Sequence, residues 1–378
     1  MKKEKRSIVA FVCCMLLLGS CQKQTITADP FQDTNVSSLK KTEPATVSLF
    51  ATGLNDPRSL KFGPDGYLYV AEAGTGGTSN SVTICPDLQV TFPFGPYTGS
   101  PTGGRISRIS STGVRSTVTD RLPSSSSNPI IGDIMGVGDI AFIGEQLYAL
   151  MAGAGCSHGV PSVPNGILRI NNDGTHTVVA DLGTWAVNNP AANVEPGDFE
   201  PEGVWYSMLN VRGDFYAVDP NHGEFVKVTP DGTISRVVDL SAELGHIVPT
   251  ALAYHGNFYV GNLNTFPIVD GSSSIYKITP SGQVVEWATG FSTILGLAFD
   301  HEARLYVLEM TRGSVSGFPE PGKSRVVRVN PNGTHDVIAT GLSFATGMAM
   351  GPDGNLYVSN WGFGRPPGGG EIMKITLN

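Results

Sequence analysis

A carboxylate at Glu202 and an imidazole at His222 are the pair in this chain best suited to act as acid and base in one site. Around them in type, though scattered in sequence, stand further oxygen donors: Glu72, Asp139, Asn221, Asn262, Asn264, Glu309 and Asn360, with the guanidinium of Arg58 and the indole of Trp361. Carboxylate and amide oxygens converging on one point are what a hard cation such as calcium needs, and Glu202, Asn262 and Glu309 form the candidate ligand set. The competing reading is that these groups only hydrogen-bond water. The stretch Asp219-Pro220-Asn221-His222-Gly223-Glu224 carries three oxygen donors but lacks the spacing of an EF-hand loop.

Such residues can meet only if the chain repeats, and it does. The aromatic core Leu68-Tyr69-Val70 recurs as Leu147-Tyr148-Ala149, Phe215-Tyr216-Ala217, Phe258-Tyr259-Val260, Leu305-Tyr306-Val307 and Leu356-Tyr357-Val358. Downstream of each comes a basic residue among strand formers: Arg108, Arg169, Lys227, Lys277, Arg328 and Lys374. Tight turns of the Pro-Asp-Gly and Asn-Gly kind, such as Pro64-Asp65-Gly66 and Pro352-Asp353-Gly354, set hairpins between alternating apolar and polar runs. Each copy parses into four strands, so an all-β, six-bladed β-propeller is expected over 46–378. The last copy lacks its fourth strand, and Thr46–Ala51 precedes the first copy unpaired. Pairing the two closes the ring and removes both open edges.

That topology gathers the long insertions on one face: 72–104, 152–166, 261–274 and 309–325 between second and third strands, and 120–136 and 183–201 between blades. Long loops on a rigid scaffold make this the candidate functional face, with the donors above at its channel mouth. The segment Phe92-Pro93-Phe94-Gly95-Pro96-Tyr97, with Trp361 and Phe363, either forms an apolar lip for a ligand there or packs onto its own blade.

The chain opens with Lys2, Lys3, Lys5 and Arg6, then an apolar run from Ile8 to Leu18, too short to span a bilayer as a mature helix. It ends in Leu18-Gly19-Ser20-Cys21, which resembles a bacterial lipobox, so residues 1–20 are expected to leave as a lipoprotein signal peptide and Cys21 to be acylated. Residues 21–45 are polar and aperiodic and read as a tether. The expected location is the cell envelope, with the membrane reached through the lipid alone and the body facing periplasm or cell surface. Net charge is −8, and removing residues 1–20 with their four basic and one acidic side chains takes it to −11, which argues against nucleic acid. Of five cysteines, Cys85 and Cys156 remain in the body, in corresponding loops of the first two blades. They either form a disulfide that pins those loops or stand as two free thiols.

Other motifs dissolve in context. Gly136-Val137-Gly138 opens an inner strand where dinucleotide chemistry needs a helix, and Arg212-Gly213-Asp214 fits a hairpin tip. Nucleophile elbow, phosphate loop and zinc-protease motifs are absent from the sequence.

With the blades laid out, the chain resembles the ScyD/ScyE family, related in architecture to NHL-repeat and regucalcin-like propellers. The carrying segments are 51–58 (Ala-Thr-Gly-Leu-Asn-Asp-Pro-Arg), 63–74 (Gly-Pro-Asp-Gly-Tyr-Leu-Tyr-Val-Ala-Glu-Ala-Gly), 99–106 (Gly-Ser-Pro-Thr-Gly-Gly-Arg-Ile) and 218–223 (Val-Asp-Pro-Asn-His-Gly), and the resemblance covers 46–377. It implies the fold and no particular reaction. Three functions are open at this stage. One is an envelope protein that binds a small molecule, glycan or protein at the loop-rich face. A second, implied by similarity to regucalcin-like lactonases, is a calcium-dependent hydrolase with calcium in the channel. The third is a quinone-dependent dehydrogenase, which needs a basic channel that the acidic mouth disfavours.

Overall fold

A computed structural model describes residues 45–90, 92–129 and 132–377. The expected leader, Cys21 and nearly all of the tether lie outside the described residues. Six antiparallel sheets follow one another along the chain. From the innermost strand outward, blade 1 is Pro57–Phe62, Leu68–Glu72, Thr98–Ile109 and Arg115–Ser126, and blade 2 is Val137–Ile143, Gln146–Met151, Gly166–Ile170 and His176–Asp181. Blade 3 is Ser207–Val211, Asp214–Asp219, Glu224–Val228 and Ile234–Asp239; blade 4 is Pro249–His255, Asn257–Asn262, Ser273–Ile278 and Val284–Phe291. Blade 5 is Ile294–Phe299, Leu305–Glu309, Ser324–Val329 and His335–Leu342. Blade 6 takes Gly347–Met350, Leu356–Asn360 and Gly370–Thr376 from the C-terminus, and Thr46–Leu54 supplies its outer strand. The N-terminal strand runs antiparallel to Gly370–Thr376, from Thr46 opposite Thr376 to Leu54 opposite Gly370. The expected ring closure is therefore present.

The repeated tyrosine has a packing reason. Tyr69 of blade 1 meets Phe142 of blade 2 at 5.0 Å, Tyr148 meets Phe215 of blade 3 at 4.8 Å, and Tyr216 meets Phe258 of blade 4 at 4.4 Å. Tyr259 meets Phe299 of blade 5 at 5.0 Å, and Tyr357 meets Phe62 of blade 1 at 5.1 Å, so the series runs across the closure. Each ring buries apolar area between blades while its hydroxyl stays near the short-turn face, where Asp65 accepts from Tyr69 and Asp353 from Tyr357. The basic residue of the third strand sits on the same outlying surface; Lys374 pairs with Asp353 at 2.7 Å and Lys227 with Asp214 at 2.6 Å. The turn glycines take the left-handed conformation that the hairpins require, as at Gly66 (φ 78°) and Gly354 (φ 75°).

Two expectations need correction. Residues 72–104 and 120–136 are not simply loops: the two outer strands of blade 1 run on past the blade, and Ser79–Asn80 and Ile134–Met135 add to them. The chain also contains short helices at Ser81–Ile84, Leu182–Asn188 and Leu240–Leu244 and a 3-10 turn at Pro196–Asp198. Asp181 and Asp239 cap two of them by accepting from Thr184 N and Ala242 N. Helices of one or two turns are too brief for a 3.6-residue period to emerge from the sequence.

Candidate functional site

The oxygen donors expected at the channel mouth turn out to be clasps inside the blades. Glu72 ends its second strand and accepts from Asn55 N at 2.6 Å, Arg105 Nε at 2.9 Å and Ser107 Oγ at 2.5 Å. Glu309, at the same place in blade 5, accepts from Ser292 N at 2.7 Å and Arg325 Nε at 2.5 Å. Asn262 accepts from Ser274 N and donates to Ile247 O, while Asn360 accepts from Ser343 N and donates to Glu371. All four are at most 5% exposed. Each ties the end of a second strand to the chain that enters the blade or to the opposing third strand, so its oxygens are spent where they stand. Asn264 does the same within its loop, donating to Ser272.

The candidate calcium set of Glu202, Asn262 and Glu309 is therefore not assembled. Glu202 is bound by Ser157, Asn262 by its own blade and Glu309 by Arg325, and among the described residues no cluster of three or more His, Cys, Asp or Glu could hold a metal. A space of about 20 Å³, room for one water, lies among the innermost strands between Ser59, Lys61, Tyr206, Thr250, Leu297 and Met348. An ammonium and aliphatic side chains do not fit a resident calcium.

At the channel mouth, Arg58 donates to Asp133 Oδ1 at 3.1 Å and to Ile134 O at 2.6 Å. Beside it, burial pushes the Asp56 carboxyl up to about 7 in spite of the guanidinium. Deeper, Asp139 joins three blades: it pairs with Lys61 at 3.3 Å and accepts from Ser207 Oγ and from Met208 N.

A larger space lies off the axis, on the loop-rich face. It is a cavity of about 310 Å³ walled by Asp87 and Leu88 of the blade 1 excursion, by Ala186, Val187, Pro190, Ala191 and Val194 after blade 2, and by Phe199, Pro201 and His222. His222 is 4% exposed, and its Nδ1 lies 3.1 Å from Asp219 Oδ2. Burial alone would lower the imidazole pKa; the Asp219 carboxylate, aided by Glu224 and the Glu200 carbonyl, outweighs it and holds the pKa above the ordinary value. Asp219 is fixed in turn by Val204 N and Asn221 N at 3.0 and 2.9 Å. Only glycine fits at position 203, because a Cβ there would stand 2.2 Å from Asp219 Oδ2 and φ is +68°.

His222 lines the cavity and Glu202 does not, and the two are not partners. Ser157 donates both its N and its Oγ to Glu202 Oε2 at 2.6 Å. The expected acid–base pairing of Glu202 with His222 is replaced by that of His222 with Asp219. Asn221 is buried and holds the connection, accepting from Glu200 N and donating to Asp198 O.

Glu200 and His158 belong to no motif of the sequence, and Tyr97 enters it only as the end of the 92–97 lip segment. Tyr97 OH donates to Glu200 Oε1 at 3.1 Å, His158 Nε2 lies 3.3 Å from Glu200 Oε2, and the two rings pack at 4.4 Å. Three segments from blade 1, blade 2 and the following connection meet there, and the only sequence signal is the doubled carboxylate of Glu200-Pro201-Glu202. Cys85 and Cys156 form a disulfide with Cα atoms 5.5 Å apart, next to Ser157 and His158. The apolar lip does not form as one surface: Tyr97 is buried against His158 and Phe92 is exposed. Trp361 packs on Phe344 at 5.4 Å with the Arg365 guanidinium 3.8 Å above its ring.

The sequence matches no family model and no curated protein. Its fold, however, resembles many solved structures. One is a structural-genomics protein of unknown function from Bacteroides thetaiotaomicron, 12% identical, with a TM-score of 0.56 over 89% of this chain and 77% of that one. Others are a putative oxidoreductase (glucose dehydrogenase) from Thermus thermophilus, at 17% identity and TM-score 0.51 over 88% and 99%, and a putative gluconolactonase at 13% and 0.50 over 88% and 92%. At these identities the likeness is one of fold, and the chain is a six-bladed β-propeller of four-stranded blades closed by its N-terminal strand.

Proposed function

We propose that this chain is an exported, lipid-anchored binding propeller of the ScyD/ScyE type that takes a small, largely apolar molecule into the off-axis cavity on its loop-rich face. The observation that carries the reading is the cavity itself. Its volume of about 310 Å³ falls at the lower end of the range typical of small-molecule sites, its wall is mostly aliphatic and aromatic, and its polar side chains are Asp87 and the His222 imidazole, the latter backed by buried Asp219. A ligand that buried roughly 200 Å² of apolar surface would gain about 5 kcal/mol before the cost of immobilisation. His222 would supply orientation, since an imidazole in a mostly apolar wall accepts few ligand geometries.

The envelope location rests on the basic and apolar start of the chain, the lipobox-like 18–21 and the disulfide, which persists in an oxidising compartment. Mass analysis of the membrane fraction tests it: acylated Cys21 as the mature N-terminus is expected, and cleavage elsewhere refutes the anchor. The binding reading is tested by a thermal-shift screen of small apolar and amphipathic compounds on the wild type and on Ala191→Trp. Ligands at a hundredfold excess over Kd should stabilise the native state by about 2.7 kcal/mol, and filling the cavity with indole should abolish the effect. Hits that bind both proteins equally would place the site elsewhere.

A further inference from the structure

We infer that the Cys85–Cys156 disulfide is a redox latch on the off-axis cavity, closing its blade 1 wall when oxidised and releasing it when reduced; the inference rests on the cavity being a ligand site.

Asp87 and Leu88 are the blade 1 residues in the cavity wall, and they stand just beyond Cys85. The turn that carries them is held together from within. Asn80 caps Val82 N, Cys85 N donates to Ser81 O, Leu88 N donates to Cys85 O, and Gln89 Nε2 donates to Ser81 O. Among the described residues, the hydrogen bonds of Val82 to Gln89 are all internal to residues 80–89. Val82, Thr83, Ile84, Pro86 and Asp87 are exposed, and Cys85 alone in that stretch is buried, at 6%. The apolar anchor of the excursion begins only at Val90 and Tyr97, which pack with Met135 and Ala152. One covalent bond to blade 2 is thus the main tie of this wall.

The other end of the same bond governs the facing wall. Cys156 is followed by Ser157 and His158, which hold Glu202 and Glu200, and Pro201 between those two carboxylates lines the cavity. Reduction leaves those polar contacts in place but frees the 82–89 turn to swing away as a unit.

The chemistry balances with a dithiol reductant. Its thiolate attacks the sulfur of Cys156, the more exposed residue of the two, and breaks the Cys85–Cys156 bond. Cys85 leaves as a thiolate and takes a proton. The second thiol of the reductant then attacks the mixed disulfide, loses its proton and releases Cys156, which is protonated in turn. Two electrons pass to the protein, and the reductant becomes a disulfide.

The test uses the full chain and anilinonaphthalene sulfonate as an apolar probe, titrated by fluorescence into oxidised protein, protein reduced with dithiothreitol, and Cys85→Ser/Cys156→Ser. Hydrogen exchange of residues 82–90 is followed in parallel on the wild type. Probe binding that Ala191→Trp abolishes is expected in the oxidised protein. Reduction should weaken it at least about tenfold, with faster exchange confined to 82–90 and an unchanged far-UV spectrum. Equal cavity binding in both redox states overturns the latch and leaves the cavity reading intact. Probe binding insensitive to Ala191→Trp overturns the cavity reading and the latch with it. Loss of the whole propeller on reduction also overturns the latch, since the disulfide would then be a staple of the fold.

Discussion

Asp139 Oδ2 accepts a hydrogen bond from Met208 N at 2.8 Å across the boundary between blades 2 and 3, while Lys61 of blade 1 pairs with the same carboxylate. Three inner strands therefore converge on one fully buried group. Removing it leaves the Met208 amide and the Lys61 ammonium without their partner. Asp139→Ala should cost roughly 3–5 kcal/mol in urea unfolding, and Asp139→Asn less, because an amide oxygen still serves Met208. A loss below about 1 kcal/mol for Asp139→Ala would show that the convergence contributes little.

The closure makes a separate demand. Leu54 is completely buried in the core shared by blades 1 and 6, with Leu60, Val70 and Ile372. Leu54→Ala should destabilise by about 2–5 kcal/mol, and deletion of 46–54 should remove the cooperative transition altogether. Retention of a single sharp transition by the deletion would mean that the ring does not depend on its N-terminal strand.

At position 203 the backbone and the site compete for the same space. Gly203→Ala must relieve both a left-handed φ and a Cβ at 2.2 Å from Asp219, so it should lose on the order of 2 kcal/mol or more. It should also displace Asp219 from His222, which nuclear magnetic resonance of the imidazole would register as a fall in its pKa. An unmoved His222 titration would separate the glycine from the site.

The pH profile follows from three raised groups. Asp56 and Glu224 are each pushed up to about 7 by burial, against the opposing pull of Arg58 and Arg236 respectively, and His222 is raised by Asp219 against its own burial. A raised pKa means the native state holds its proton more tightly than the unfolded chain does. The carboxyl contributions are complete below about pH 4 and fade as the pH climbs through 7, and the His222 contribution is complete below the ordinary histidine pKa and fades as the pH rises through the raised one. These three groups should therefore lower the melting temperature from pH 5 to pH 8.5, against the opposite trend of His176 and His335, whose burial lowers their pKa. Asp56→Asn with Glu224→Gln should flatten most of that slope, and Asn tolerates the φ of 47° at position 56. A slope equal to that of the wild type would assign the pH dependence to other groups.

Much of the architecture was written locally. The Leu-Tyr-Val repeat, the turn glycines and the unpaired Thr46–Ala51 segment pointed to six blades and their closure, because strand alternation and turn chemistry act over a few residues and recur in each copy. The pairing of Cys85 with Cys156 was one of two open readings, since equivalent loops of adjacent blades must lie close. Residue type misled where position within the blade mattered more. Glu72, Asn262, Glu309 and Asn360 have the donors of a cation site, but the end of a second strand faces the chain entering its own blade, and the carboxylates and amides close that gap.

The sequence by itself determined the number of blades, the strands in each, the ring closure and the face that bears the long insertions, all consequences of short-range periodicity. Only the tertiary structure decided which side chains meet there. Leu88 and Ala186 come from two separate long insertions and His222 from the short turn between the second and third strands of blade 3, and Tyr97 reaches Glu200 across 103 residues of chain. Those meetings depend on how irregular loops pack against one another, and no local pattern encodes a contact between segments whose approach is set by the whole ring.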